Sequence, residues 1–217
     1  MRKRSWLGSL ACALAILGAT TAGAMSLRET NIVDLLQQSD AIVVGRVTAV
    51  TDGIDERDIP YTEITVQISE TIRGDLSGTY TFRQFGLLNP RLTADGKRKM
   101  MPAPEGFPRF AEGEQDVLFL RPVASWTGLR TTAGASYGKF VMGPGRVENA
   151  LGNAGLFRNL RLEPGLASDA DRRLLVSDGA VHPDTFLSFV RRAVAGRWVE
   201  TGRMSHRENG RPERSAK

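Results

Sequence analysis

Thiols are almost missing from this sequence. Among 217 residues there is one cysteine, Cys12, and it lies in an N-terminal segment that reads as removable. Without it the chain can form no disulfide, bind no metal through thiolate and use no cysteine nucleophile. Histidine is nearly as scarce, with His182 and His206 the only two. A zinc site needs three or four ligands at repeating spacings, and none is supplied, so neither a metal nor another cofactor is expected. There is also no apolar run of the about 20 residues that a membrane-spanning helix requires, and no internal repeat.

The uncharged stretch Trp6–Gly18 is 13 residues long, follows the cluster Arg2-Lys3-Arg4 and precedes Ala22-Gly23-Ala24. Basic n-region, short apolar h-region and A-x-A site together read as a secretory signal peptide, residues 1–24, cut after Ala24. Ser9-Leu10-Ala11 before Cys12 matches lipid attachment poorly, so no stable membrane anchor is expected after cleavage. The expected location is the periplasm or the extracellular medium.

The net charge of +5 belongs to the ends. Three basic residues leave with the signal, and Gly196–Lys217 holds six basic against three acidic side chains. The body between them is close to neutral, so nucleic-acid binding lacks its main electrostatic support.

Asn31–Asp40 reads as a short amphipathic helix, with Ile32, Leu35 and Leu36 on one face. Ala41–Val50 is a strand rich in β-branched residues, and Gly45 in its middle points to a bulge or bend. Thr62–Ile72 alternates apolar and polar residues, the period of a strand with one buried face. Gly74–Gly78 turns it into Thr79–Phe85, a hairpin. Gly86–Glu114 is long and irregular, as functional loops often are. Gln115–Arg121 resumes as a strand whose continuous apolar centre, Val117–Leu120, predicts burial on both faces. Weaker strands are expected at Gly128–Thr132, Tyr137–Met142 and Leu156–Leu162. Phe186, Phe189, Val190, Ala193 and Val194 form one helical stripe after Pro183, closed by Gly196. Residues 25–198 are expected to form a single β-rich domain, and residues 199–217 a disordered basic tail.

Several motifs invite a chemical reading. Gly134-Ala-Ser-Tyr-Gly138 matches G-x-S-x-G, and Ser136, Asp178 and His182 follow in a permitted triad order. A nucleophile elbow needs a strand before the serine and a helix after it, whereas strand-like sequence lies on both sides here. A glycine-rich turn fits better. Glu112, Glu114 and Asp116 fall short of a calcium ladder and read as a solvated turn. Lys97-Arg98-Lys99 reads as a solvated loop. Glu105-Gly-Phe-Pro-Arg-Phe110 has the composition of a binding anchor, with Phe107, Arg109 and Phe110 as candidate contacts. The competing reading folds Phe107 and Phe110 inward to pin the loop.

Ser39–Val50, the strand end Glu70-Thr-Ile-Arg-Gly74, and Phe107–Glu114 leading into Val117–Leu120 also carry a resemblance. They resemble a group of uncharacterised bacterial exported proteins and, more distantly, netrin-like and tissue-inhibitor-of-metalloproteinase domains. That resemblance implies an OB-type barrel. Netrin-like domains are disulfide-rich and the inhibitors act through an N-terminal cysteine, so no functional residue transfers to this chain.

The expected fold is mostly β, an OB-like antiparallel barrel or sandwich of about five to seven strands, with a short N-terminal helix and a C-terminal amphipathic helix. The expected function is that of an exported non-enzymatic binding module acting on a protein or peptide. The alternatives are a serine hydrolase using Ser136 and His182, and an inhibitor of an exported protease. Intact-mass measurement of native protein should find a chain beginning at Met25; a species retaining Met1 would overturn the export reading.

Overall fold

The computed structural model describes residues 30–92 and 96–207. Residues 1–24, expected to be a signal peptide, and the last ten residues of the basic tail lie outside the described residues. Helix α1, Ile32–Gln38, opens on Asn31, whose side chain accepts hydrogen bonds from the amides of Val33 and Asp34. Asp34 returns the bond to the Asn31 amide at 3.0 Å, completing a capping box. Two long strands follow, β1 (Ala41–Ile54) and β2 (Pro60–Arg73), and then β3 (Thr79–Phe85). The next segment carries only a two-residue pair, β4 (Arg91–Leu92) with β5 (Arg98–Lys99). Strands β6 (Gln115–Leu120), β7 (Lys139–Gly143) and β8 (Arg146–Asn149) complete the main sheet.

Its order is β3-β2-β1-β6-β7-β8, antiparallel throughout. Bulges interrupt the β1–β2 register near Val43, Gly45 and Ala49, and they bend the strand. Gly45 is required there by close approach. A Cβ on it would lie 2.5 Å from Val66 Cγ1 and 2.7 Å from the Gln67 carbonyl oxygen.

The sheet does not close into a barrel. Its two edges are met by segments outside the sheet. The Arg130 amide donates to the Arg83 carbonyl on β3 at 2.7 Å, and Val147 of β8 exchanges two hydrogen bonds with Val181. Since those segments occupy edge positions, β3 and β8 never meet. The expected strand at Gly128–Thr132 reduces to a single bridge, Thr132 to Leu120. Tyr137–Met142 begins instead as a 3-10 turn, Ala135–Gly138.

Alternate residues of the sheet feed two cores. On the helical side Ile42, Val44, Val117, Phe119 and Phe140 pack with α1 and with α3, Pro183–Ala195. Phe119, Phe140 and Phe186 form an aromatic cluster with centroids 4.8 to 6.5 Å apart. On the other side Val43, Val47, Ile64, Val66, Phe82, Leu118 and Leu120 pack together, joined by the half-buried Phe110. Burial of Val117–Leu120 on both faces is complete. The short helix α2, Asp169–Leu175, packs against α3. Among the described residues no helix is long and apolar enough to cross a membrane.

Residues 199–207 depart from the expected disorder. Met204–His206 form β10, which pairs with β9, Leu160–Leu162. Met204 is 1 % exposed, and Trp198 is buried edge-on against Phe189. His206 reaches back to the start of the domain, with Nδ1 3.2 Å from Asn31 Nδ2 and Nε2 3.2 Å from Asp34 Oδ1. Two apolar side chains and a histidine thus hold a stretch whose charge suggested solvent. Met204→Ala should cost about 2–5 kcal/mol, read as a lowered urea midpoint; unchanged stability would show that the strand does not pack.

Candidate functional site

Strand pairing lines up one row of side chains across four strands, on the face away from the helices. Gly45 of β1 lies opposite Asp116 of β6, Asp116 opposite Val141 of β7, and Val141 opposite Glu148 of β8. A second row runs Val43, Leu118, Lys139. The apolar core on this face therefore ends at β6. Beyond it the floor is Lys139, Val141 and Glu148, open as a cleft of about 650 Å³. Gly106–Arg109, with Ser136 bonded to them, and Asn149, Ala150 and Gly152 line its sides.

The Gly106–Arg109 wall is pinned from behind. The amide and hydroxyl of Ser136 both donate to the Gly106 carbonyl, at 2.8 and 2.7 Å. Buried Gln84 donates to the Pro108 carbonyl at 3.1 Å. Gly106 takes a φ of +85°, a left-handed conformation that glycine adopts without strain. Phe110 turns inward, edge-on to Phe82 at 5.7 Å, so it pins the loop. Phe107 is half-buried and faces three clefts. These are the charged cleft, an apolar one of about 440 Å³ beside Val123 and Leu129, and a third of about 410 Å³ beside Leu88 and Met100. Arg109 is exposed at the rim of the charged cleft and makes no hydrogen bond or ion pair among the described residues.

The floor holds a buried charge cluster. Lys139 Nζ lies 2.7 Å from Glu114 Oε2 and 3.4 Å from Asp116 Oδ2, and 5.2 Å from the centre of the Phe110 ring. Asp116 is fully buried, and neither of its carboxyl oxygens has a hydrogen-bond partner. Burial is the main influence on it and pushes its pKa up to about 7, against the pull of Lys139 and with help from the negative charge of Glu114. The solvated turn expected at Glu112, Glu114 and Asp116 thus holds only for Glu112, which is exposed and accepts from the Val50 amide at 3.2 Å. Asp116 shares parity with Leu118 and Leu120, and that parity is the signal that places it inside.

Ser136 lines the cleft, but its hydroxyl is engaged with Gly106. His182 caps α3 in a separate pocket, beside Arg173 and Leu174, with Nδ1 3.8 Å from Asp184 Oδ2. Asp178 accepts from the Gly155 amide at 3.3 Å. Among the described residues these three side chains share no hydrogen bond with one another. His182 and His206 stand apart, and Lys97 and Arg98 are exposed on the β4–β5 segment. No group of three or more His, Cys, Asp or Glu comes together among the described residues in a way that could hold a metal.

No family model, no curated protein and no solved structure matches this chain.

Asp116 sets a stability slope of known sign. Its carboxyl moves from 3.8 to about 7 on folding, so between those values the folded state holds the extra proton. That contribution is full below about pH 4 and is lost as pH rises to about 7, by about 4 kcal/mol at most. Asp52, Asp55, Glu70 and Asp171 are shifted down, so their contributions are lost at lower pH, as it falls. The difference between the wild type and Asp116→Asn in urea unfolding isolates the effect. The variant should gain relative stability from about pH 4 to about pH 7 and level off above it, and two parallel curves would overturn the assignment.

Proposed function

We propose that this protein is an exported, non-enzymatic binding module that seats a peptide segment of another exported protein in the charged cleft. The observation that carries this reading is Arg109, a guanidinium without a partner among the described residues, set beside the half-exposed Phe107 at a pinned cleft wall. Arg121, Arg161 and Arg173 also lack a side-chain partner among the described residues, but Arg109 is the arginine that lines this cleft, and other arginines are committed. Arg130 binds the Arg121 carbonyl, Tyr80 and Asp40, and Arg191 grips Glu70 at 2.6 and 2.7 Å. An uncommitted guanidinium next to an aromatic ring suits a ligand that presents a carboxylate beside an apolar side chain.

The preformed wall supports binding, because a loop already held by Ser136 and Gln84 loses little freedom when a ligand docks. A non-enzymatic role is supported by the engagement of the Ser136 hydroxyl with a carbonyl and by the lack of a base bonded to it. An OB-like derivation of the sheet belongs to the same proposal. It is supported by a long first strand that bends at Gly45 and pairs on both sides.

Amide chemical shifts of labelled protein should report the seat. A pool of N-acetylated tetrapeptides with free C-terminal carboxylates should move resonances of residues 106–109, 136, 139 and 148–152, and the amidated pool should not. Arg109→Ala should weaken binding about tenfold, the worth of a charge-assisted hydrogen bond. Shifts confined to other surfaces, or no shifts, would reject the cleft as the seat.

A further inference from the structure

Lys139 stands between the cleft and the interior. Its side chain is 6 % exposed, and its ammonium touches Glu114 on one side and Asp116 behind it and rests near the Phe110 ring. Asp116 is the one group of this cluster fully sealed from water, and both its oxygens lack hydrogen bonds. Natural folds rarely leave such a group unexplained. An ionised carboxylate in that place has only the ammonium at 3.4 Å to compensate it, while a neutral one needs far less.

The groups that face Asp116 can be named element by element. From β1 the opposing residue is Gly45, which carries no side chain. The neighbouring Arg46 sends its guanidinium to the Gly113 carbonyl at 2.7 Å. From β7 come Val141 directly and Lys139 beside it, and from β8 Glu148, which is paired with Arg146. Glu114 precedes β6, and Arg109 overlooks the floor from the loop. Glu148 is offset by Arg146, so Lys139, Glu114 and Asp116 set the net charge of the floor.

We propose that Asp116 is a proton-operated switch for the cleft: protonated, it leaves the Lys139–Glu114 floor neutral so that Arg109 holds a ligand carboxylate, and ionised, it makes the floor negative and withdraws that grip. This rests on the cleft being the ligand seat. With Asp116 neutral, Lys139 and Glu114 cancel, and Arg109 leaves the cleft one net positive charge. With Asp116 ionised, the trio carries one net negative charge, which cancels Arg109. The attraction for an anion is therefore present in one state and removed in the other, without any change of fold. A neutral-range midpoint follows from the burial that raises the carboxyl to about 7. Such a module would take up a carboxylate-bearing peptide in mildly acidic surroundings and release it in alkaline ones.

The test measures the free-carboxylate tetrapeptide pool against full-length mature protein at about pH 5.5 and about pH 8.5, on either side of the Asp116 midpoint. Wild-type apparent affinity should be about tenfold higher at the acid value, because one unit charge is removed a few ångströms from the ammonium. Asp116→Asn, isosteric and always neutral, should bind at both values as the wild type does at the acid one. Ligand-free carbon NMR of the Asp116 carboxyl should titrate near neutrality. Equal wild-type affinity at the two values, or a carboxyl titrating near 4, would overturn the switch and leave the seat standing. Failure of the wild type to bind at either value would overturn the seat and the switch with it.

Discussion

A β-strand cannot choose which residues to bury one at a time. Once the ladder between Ala41–Arg46 and Gln115–Leu120 is set, every second side chain of β6 is committed to the same face. Val117 and Phe119 go to the helical core, and Leu118 and Leu120 to the other. Asp116 goes with the leucines whatever its charge. A one-residue slip would free the carboxylate and expose the leucines. The two residues that bury best therefore hold in place the one that buries worst. This ladder also joins the β2–β3 hairpin to the β7–β8 hairpin, so the rest of the sheet is hung on it from both sides.

The two faces are finished in different ways. The helical face is sealed by aromatic packing, with Phe119, Phe140 and Phe186 interlocked and Trp198 closing over Phe189. Among the described residues no helix packs on the other face. It is covered by the bend of the sheet itself and by Phe110 on Phe82, and that cover runs out at β7. A cleft with charged walls is the result of the shortfall. What keeps it from collapsing is the loop anchorage, in which two donors from Ser136 converge on one carbonyl.

Much of this framework was legible in the residues. The alternation in Thr62–Ile72, the unbroken apolar centre of Val117–Leu120 and the stripe from Phe186 to Ala193 each forecast their burial, because each follows a period set by backbone geometry. Gly45 forecast its bulge for the same kind of reason. The misses have physical causes too. β8 is four residues of mixed polarity between glycine-rich turns, and its strand character comes from pairing with β7. Closure of the barrel depended on which segments reach the edges, and no local pattern encodes that. Met204 was hidden by the charges around it. The cleft was half visible: the composition of residues 105–110 drew attention to Phe107 and Arg109. Lys139 and Asp116 come together only through the register of β6 on β7.

The contact of His206 with Asn31 and Asp34 joins the last strand of the domain to the cap of its first helix. Residues 175 and 172 positions apart must therefore both be present before either end is finished. A ribosome still holding the C-terminal residues leaves the opening helix without its partner and the Met204 site empty. That ordering leaves the two ends unjoined until the C-terminal residues are free to fold back. Only then can the two ends meet and lock the domain.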